Sequence, residues 1–212
     1  SETLIKKGIV IDRLLQNVLV DKSIDPNSLL IGDKNALLVA VRITGYGAPY
    51  DTKMICPSCT KSVAQRFDLA LRTTYHATDE EVKEHGFDIS SNGRFELTMP
   101  SSKIVVGVRL MNGHDEDKLN KMSENRRKNK LPESTLTDQL RRMIVSVNGD
   151  SSSQMIKEYV EHMPARDSRY LRTTYHKVVP DINMAQEFSC ASCGHTQELE
   201  VPFTVDFFWP QQ

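Results

Sequence analysis

Cysteine is scarce in this chain, and the little there is falls in pairs. Four cysteines occur among 212 residues, as Cys56-Pro57-Ser58-Cys59 and Cys190-Ala191-Ser192-Cys193. Surplus charge is missing too: 27 basic and 28 acidic side chains leave a net charge of -1, so nothing draws the whole molecule toward nucleic acid or a membrane surface. No apolar run approaches the ~20 residues of a membrane span, and no secretory signal is visible. A mean hydropathy of -0.42 reads as soluble and globular, with a cytoplasmic compartment the best fit. There is no G-x-S-x-G, Walker loop, H-E-x-x-H or dinucleotide fingerprint. The histidines do not group with carboxylates at ligand spacing, and His76 and His176, each following a tyrosine in a helix-like segment, read as exposed polar residues. These absences argue against an enzyme.

What is present is a pair of C-x-x-C knuckles with no cysteine left over. Cys56, Cys59, Cys190 and Cys193 supply four thiolates, the full tetrahedral shell of a structural zinc site. Each knuckle is flanked by short runs of strand character: Lys53–Ile55 and Ser62–Phe67 around the first, Glu187–Ser189 and Thr196–Val201 around the second. Two such hairpins facing each other make a zinc ribbon, and metal binding then contributes on the order of 10 kcal/mol to folding. Competing readings are four reduced thiols, a strained C-x-x-C disulfide and a redox C-x-x-C, which needs a thioredoxin-like setting. An iron-sulfur cluster is the alternative metal centre. With four thiolates filling the shell, His195 falls outside it. The closed shell also lacks the open position that catalysis requires.

The metal has a topological consequence, because everything between the knuckles must leave one hairpin and return to the other. The expected fold is α+β, mainly helical, with a β-hairpin and the zinc ribbon. Residues 1–50 form an N-terminal helical segment. The ribbon takes 51–68 and 187–202, a mainly helical insertion 69–186, and an aromatic tail 203–212. In the first segment, residues 1–7 look like a helix end stopped by Gly8; the initial serine fits a processed or truncated start. A second helix follows from Ile9, Val10, Leu14, Leu15, Val18 and Leu19. Asp25-Pro26-Asn27 is a turn. Asp33 then caps a helix over Asn35–Ile43 that is apolar on nearly every side and expected to be buried all round, ending at Gly45-Tyr46-Gly47.

Within the insertion, Leu69–Tyr75 is ambiguous and Asp79–Glu84 is a solvated acidic patch. Alternation at Phe95, Leu97, Met99 and at Ile104, Val106, Val108, Leu110 predicts a hairpin over 94–111. A polar helix runs from Asp115-Glu116-Asp117 to Arg126-Arg127-Lys128. Leu136, Leu140, Met143, Ile144 and Val147 mark an amphipathic helix stopped by Gly149. Two more helices follow: one capped by Ser151-Ser152-Ser153 and broken at Pro164, the other capped by Asp167 and halted at Pro180. Leu-Arg-Thr-Thr-Tyr-His occurs at both 71–76 and 171–176, but the flanks differ, so no repeat is read.

Candidate partner surfaces are the tail residues Phe207, Phe208 and Trp209 and the basic run Arg126, Arg127, Lys128. For the tail, the competing reading packs Phe203 and Phe207 against the domain. For the basic run, an acidic protein partner competes with nucleic acid.

The stretch Leu29-Leu30-Ile31-Gly32-Asp33-Lys34-Asn35-Ala36-Leu37-Leu38-Val39-Ala40-Val41-Arg42-Ile43-Thr44-Gly45-Tyr46-Gly47, the Cys-Pro-Ser-Cys knuckle, Ser146-Val147-Asn148-Gly149, Asp167-Ser168-Arg169-Tyr170-Leu171-Arg172, Pro180-Asp181-Ile182 and Phe207-Phe208-Trp209-Pro210 together resemble the baseplate hub assembly protein family of contractile-tailed bacteriophages. The resemblance spans most of the chain, in order. It implies a tail-baseplate protein, either a hub component or a chaperone of hub assembly, found in the host cytoplasm during assembly and, if retained, in the virion tail. Its partners would be other baseplate or hub proteins; separately, a homo-oligomer is an open alternative. It also implies a preceding strand-rich segment ending in a charged helix, of which Ser1–Lys7 would be the remnant. The rival from another class is a zinc-ribbon nucleic-acid factor, and a weaker one is a hydrolase with an unrecognised site.

Overall fold

Alternating apolar residues set the first β element. Strands β4 (Arg94–Thr98) and β5 (Val105–Arg109) pair antiparallel, with Phe95 opposite Val108 and Leu97 opposite Val106, so one face of the expected hairpin is apolar and buried. These assignments come from a computed structural model that describes residues 11–71, 73–75, 93–202 and 205–208. The expected helix through Val147 is corrected: α4 spans Thr135–Met143, and Ile144–Val147 is strand β6, added to the far edge of β5. Ile144, Val145 and Val147 are β-branched and lose rotamer freedom in a helix. Asn148 and Gly149, at φ 49° and 83°, reverse the chain in the tight turn that Asn-Gly favours. Asn148 also continues the ladder: its N–H donates to the Val105 carbonyl at 2.7 Å, and its Oδ1 accepts from Val105 N at 2.9 Å.

Helices α5 (Ser153–His162) and α6 (Ala165–Val178) complete this core, in which Leu140, Met143, Leu171, Tyr175 and Val178 pack with Phe95, Leu97, Val106 and Val108. Ser152 is the N-cap of α5, accepting from Met155 N. Asp167 does not cap α6, which begins two residues earlier. Its side chain, wholly buried, accepts from Ser101 N at 2.7 Å and Ser102 N at 2.9 Å, bonding the β4–β5 turn to the helix. Burial raises its pKa, and these serine hydrogen bonds more than offset that, leaving it below the usual carboxylate value. A depressed folded pKa means the stabilisation is full above the unfolded value of about 4 and is lost as pH falls through the folded value. Asp167→Ala, which orphans two amides, is expected to cost about 3 kcal/mol at neutral pH. Urea midpoints measured from pH 7 down to 3 should converge with wild type on acidification.

A second cluster gathers Leu15, Leu38, Val39, Tyr50, Phe67, Leu69, Ile182, Met184, Phe207 and Phe208. Leu15 lies on a first helix, α1, at 11–18, where Val18, expected inside, is 43% exposed. A short 3-10 turn at Pro26–Ser28 follows, capped by Asp25. Helix α2 spans Ile31–Tyr46, so Asp33 sits in its first turn rather than at its cap. Nor is α2 buried all round: Leu38 and Val39 are inside, Ala40 is exposed and Val41 half-buried. Two charges it buries explain how polar residues fit an apolar helix. Lys34 Nζ bonds Asp12 Oδ1 at 2.9 Å and Asn27 Oδ1 at 2.7 Å. Arg42 donates to the carbonyls of Gly47 and Pro49, tying down the chain where the helix ends.

Gly32 fixes how closely α2 approaches the strand it packs on. A Cβ there would meet the Pro180 carbonyl, lying 2.8 Å from its carbon and 2.9 Å from Asp181 Cα. Strand β7 (Asp181–Asn183) starts here and pairs with β3 (Thr73–Tyr75). Gly32→Ala is expected to destabilise by about 2 kcal/mol, as overpacking against backbone does, readable as a fall in melting temperature.

In the tail, Phe207 takes the packed alternative, and the partner-anchor expectation is corrected at Phe207 and Phe208. Helix α7 (Val205–Phe208) places Phe207 at 0% and Phe208 at 5% exposure, in the second cluster, where Phe207 meets Tyr50 edge-on at 5.1 Å. Neither ring is presented to a partner. The duplicated hexapeptide takes two structures, Thr73–Tyr75 being strand and Leu171–His176 helix, so tertiary context decides its fold. The expectations for residues 1–10, His76, Asp79–Glu84, Phe203 and Trp209 lie outside the described residues.

Candidate metal centre

The knuckles sit at the turns of two hairpins. Strands β1 (Pro49–Ile55) and β2 (Ser62–Asp68) flank the first; β8 (Ala185–Ser189) and β9 (Thr196–Glu200) flank the second. Their turns are congruent. Cys56 N donates to the Lys61 carbonyl and Cys190 N to the His195 carbonyl, both at 2.9 Å. Thr60 N donates to the Cys56 carbonyl and Gly194 N to that of Cys190, again at 2.9 Å. The fifth residue of each turn is left-handed, Gly194 at φ 71° and Thr60 at φ 59°. Glycine adopts this freely, whereas a β-branched threonine does so at a cost. The hairpins are joined near their bases by Gln186, whose side chain accepts from Asp68 N at 3.1 Å and donates to its carbonyl at 2.7 Å.

All four Sγ atoms lie within 4.8 Å of one another. Cys56 and Cys193 are 3.8 Å apart, Cys59 and Cys190 3.7 Å. A tetrahedral zinc with Zn–S near 2.3 Å sets its sulfurs about 3.8 Å apart, so the residues fit a single tetrahedral ion. Cys56 and Cys190 are buried, Cys59 is half-buried and Cys193 exposed, and the cysteines are not disulfide-bonded. His195 is outside the set; its Nε2 lies 3.3 Å from Gln197 Oε1.

The surroundings lower two of the thiols and raise a third. The amides of Cys59 and Ser58 pull the Cys56 thiol below its ordinary value despite burial. At Cys190 burial pushes upward, but the amides of Ser192 and Cys193 prevail and bring it to about 7. At Cys193 the His195 amide pulls down, yet burial and the neighbouring thiols raise it to about 11. Like charges on the sulfurs of Cys56, Cys190 and Cys193 repel at this range, and a cation at their centre would relieve that.

The basic run divides in two. Helix α3 (Gly113–Lys128) begins with a capping box, Asn112 and Asp115 exchanging hydrogen bonds with each other's backbone. Asp115 is buried and held by both guanidinium nitrogens of Arg109, at 2.6 and 2.7 Å, a bidentate pair not flagged by the sequence pattern. At the other end Arg126 turns inward to Asp138, Nε to Oδ2 3.3 Å, whereas Arg127 and Lys128 are exposed. Arg126 is therefore committed to the fold. Asp138, 4% exposed, also accepts from Ser134 Oγ at 2.8 Å, and the cleft they line has a volume near 20 Å³, room for one water.

Fold and site together define an α+β protein whose two distant hairpins converge on four cysteine sulfurs able to hold a metal ion. The family model described as T4 bacteriophage base plate protein matches residues 6–209, nearly the whole chain, and the chain belongs to that family. It is thus a phage baseplate structural or assembly protein. No curated protein and no solved structure matches it. No helix among the described residues is long and apolar enough to cross a membrane.

Proposed function

We propose that this chain acts at the baseplate hub, as a subunit or an assembly chaperone, through protein–protein contacts on a scaffold clasped by one structural zinc ion. The observation that carries the reading is the family match across residues 6–209. Zinc is supported by four sulfurs spaced for one tetrahedral ion; an iron-sulfur cluster, with several irons between its thiolates, would spread them further. Bound zinc would supply a closed, redox-inert cross-link. Cys56 and Cys59 would anchor the first hairpin to it, Cys190 and Cys193 the second, fixing where the intervening chain leaves and returns.

Fractionation of phage-infected cells tests the role. A hub subunit is expected in assembled tails at fixed stoichiometry; a chaperone is expected with hub intermediates and absent from finished tails. Recovery with nuclease-sensitive nucleic acid and no tail protein would overturn the baseplate role in favour of a nucleic-acid factor.

A further inference from the structure

The hairpin of helices α3 and α4 ends in a tip that the fold stiffens and leaves uncovered. Asn129 N donates to the Asn125 carbonyl at 3.0 Å, Lys130 N to that of Arg127 at 3.2 Å and Leu131 N to that of Arg126 at 2.9 Å. Lys130 takes a left-handed φ of 53°, and the Arg126–Asp138–Ser134 set locks the base. The tip presents Arg127, Lys128 and Lys130, with no carboxylate partner among the described residues, beside Leu131 and Leu136 at 52% and 40% exposure. Leu136 extends the buried Leu140–Met143 stripe of α4 beyond the core. A rigid, cationic knob bearing leucines loses little entropy on docking.

The same chain carries a surface of opposite sign. In the β8–β9 register Glu187 stands directly opposite Glu198, and Glu200 lies two residues along on that face. All three are exposed, and no cation pairs with them among the described residues. Like charges placed opposite each other on a ribbon are destabilising, and a cationic surface laid across them removes that cost. Phe188 faces the other way, into the small ribbon core, so the glutamate face is outward.

We propose that the Arg127, Lys128, Lys130 and Leu131 tip docks on the Glu187, Glu198 and Glu200 face of a second copy of this chain. The contact is head-to-tail: each copy offers one tip and one face, so association closes a ring or continues as a filament. It depends on charge and is screened by salt. This inference does not depend on the hub assignment.

Sedimentation velocity of the full-length, metal-loaded, nuclease-treated protein tests it. Wild type is expected to associate as concentration rises toward about 0.1 mM at low salt, the range where weak interfaces show, and to dissociate in about 0.5 M salt. Arg127→Glu/Lys128→Glu and Glu187→Lys/Glu198→Lys should each weaken self-association at least ~10-fold, with metal content and melting temperature retained. The decisive arm mixes the two variants. Each then finds its complement in the other, tip to face in both directions, and association returns. A wild type monomeric throughout, a variant that associates like wild type, or a mixture that stays monomeric would overturn the proposal. So would wild-type association seen only before nuclease treatment. Tail fractionation is read separately, so the baseplate role stands or falls on its own result.

Discussion

Cys190→Ser protein should emerge from native purification without metal and less stable by several kcal/mol, of order 5, since metal binding in such small sites is folding free energy. Cys56→Ser should do the same. The damage should be local before it is global. Around the knuckles the buried residues are Cys56, Val63, Phe188 and Cys190, so half of that small core consists of the candidate ligands themselves. Without a cation, clustered thiols and a few apolar contacts cannot hold two hairpins together. The core around Leu171 and Val106 has its own large set of buried residues and needs no metal. Hydrogen exchange should therefore show early loss of protection in β1, β2, β8 and β9, with β5 and α6 still protected. Elemental analysis giving one zinc per wild-type chain completes the test; no metal in reduced, natively purified protein would end the idea, and iron with a visible chromophore would replace zinc.

Phe207→Ala should cost about 4 kcal/mol, the range for emptying a buried aromatic site. Its ring fills the space between Tyr50, Phe208 at 4.9 Å and the Arg42 guanidinium at 5.9 Å, and Arg42 also bonds the carbonyls of Gly47 and Pro49. Truncation would open a cavity and loosen the cation that ties down the end of α2. Thermal melts should show a large drop, accompanied by higher exchange at residues 46–50. If the variant melted like wild type and instead failed to bind baseplate partners, the ring would be an interface anchor after all. The same logic makes deletion of Phe208 to Gln212 a stability lesion rather than a clean test of partner binding.

Local pattern was legible wherever one residue type can do one thing. Four cysteines in two knuckles, with strands on either side, announce a four-thiolate site because that spacing lets a tight turn aim two sulfurs at one point. Alternation gave β4 and β5, and the Ser151-Ser152-Ser153 run and Pro164 marked where α5 starts and ends. What the sequence could not decide were matters of partner and distance. Ile144–Val147 continues a helical apolar stripe on paper; it becomes a strand because β5 has a free edge beside it and Asn148-Gly149 turns the chain there. Asp167 looks like a cap, yet its partners are two amides about 65 residues away in sequence. Arg126 looks like a partner-seeking cation until Asp138 is seen beneath it, and Phe207 looks like a terminal anchor until Tyr50 closes over it. By itself the sequence determined the family, the cysteine cluster that could serve as a ligand set and most of the helices, since these rest on residue identity and short-range spacing. Only the tertiary structure decided which charges are spent inside, which aromatics are core and which cationic tip is left uncovered, because burial depends on what the rest of the chain brings alongside.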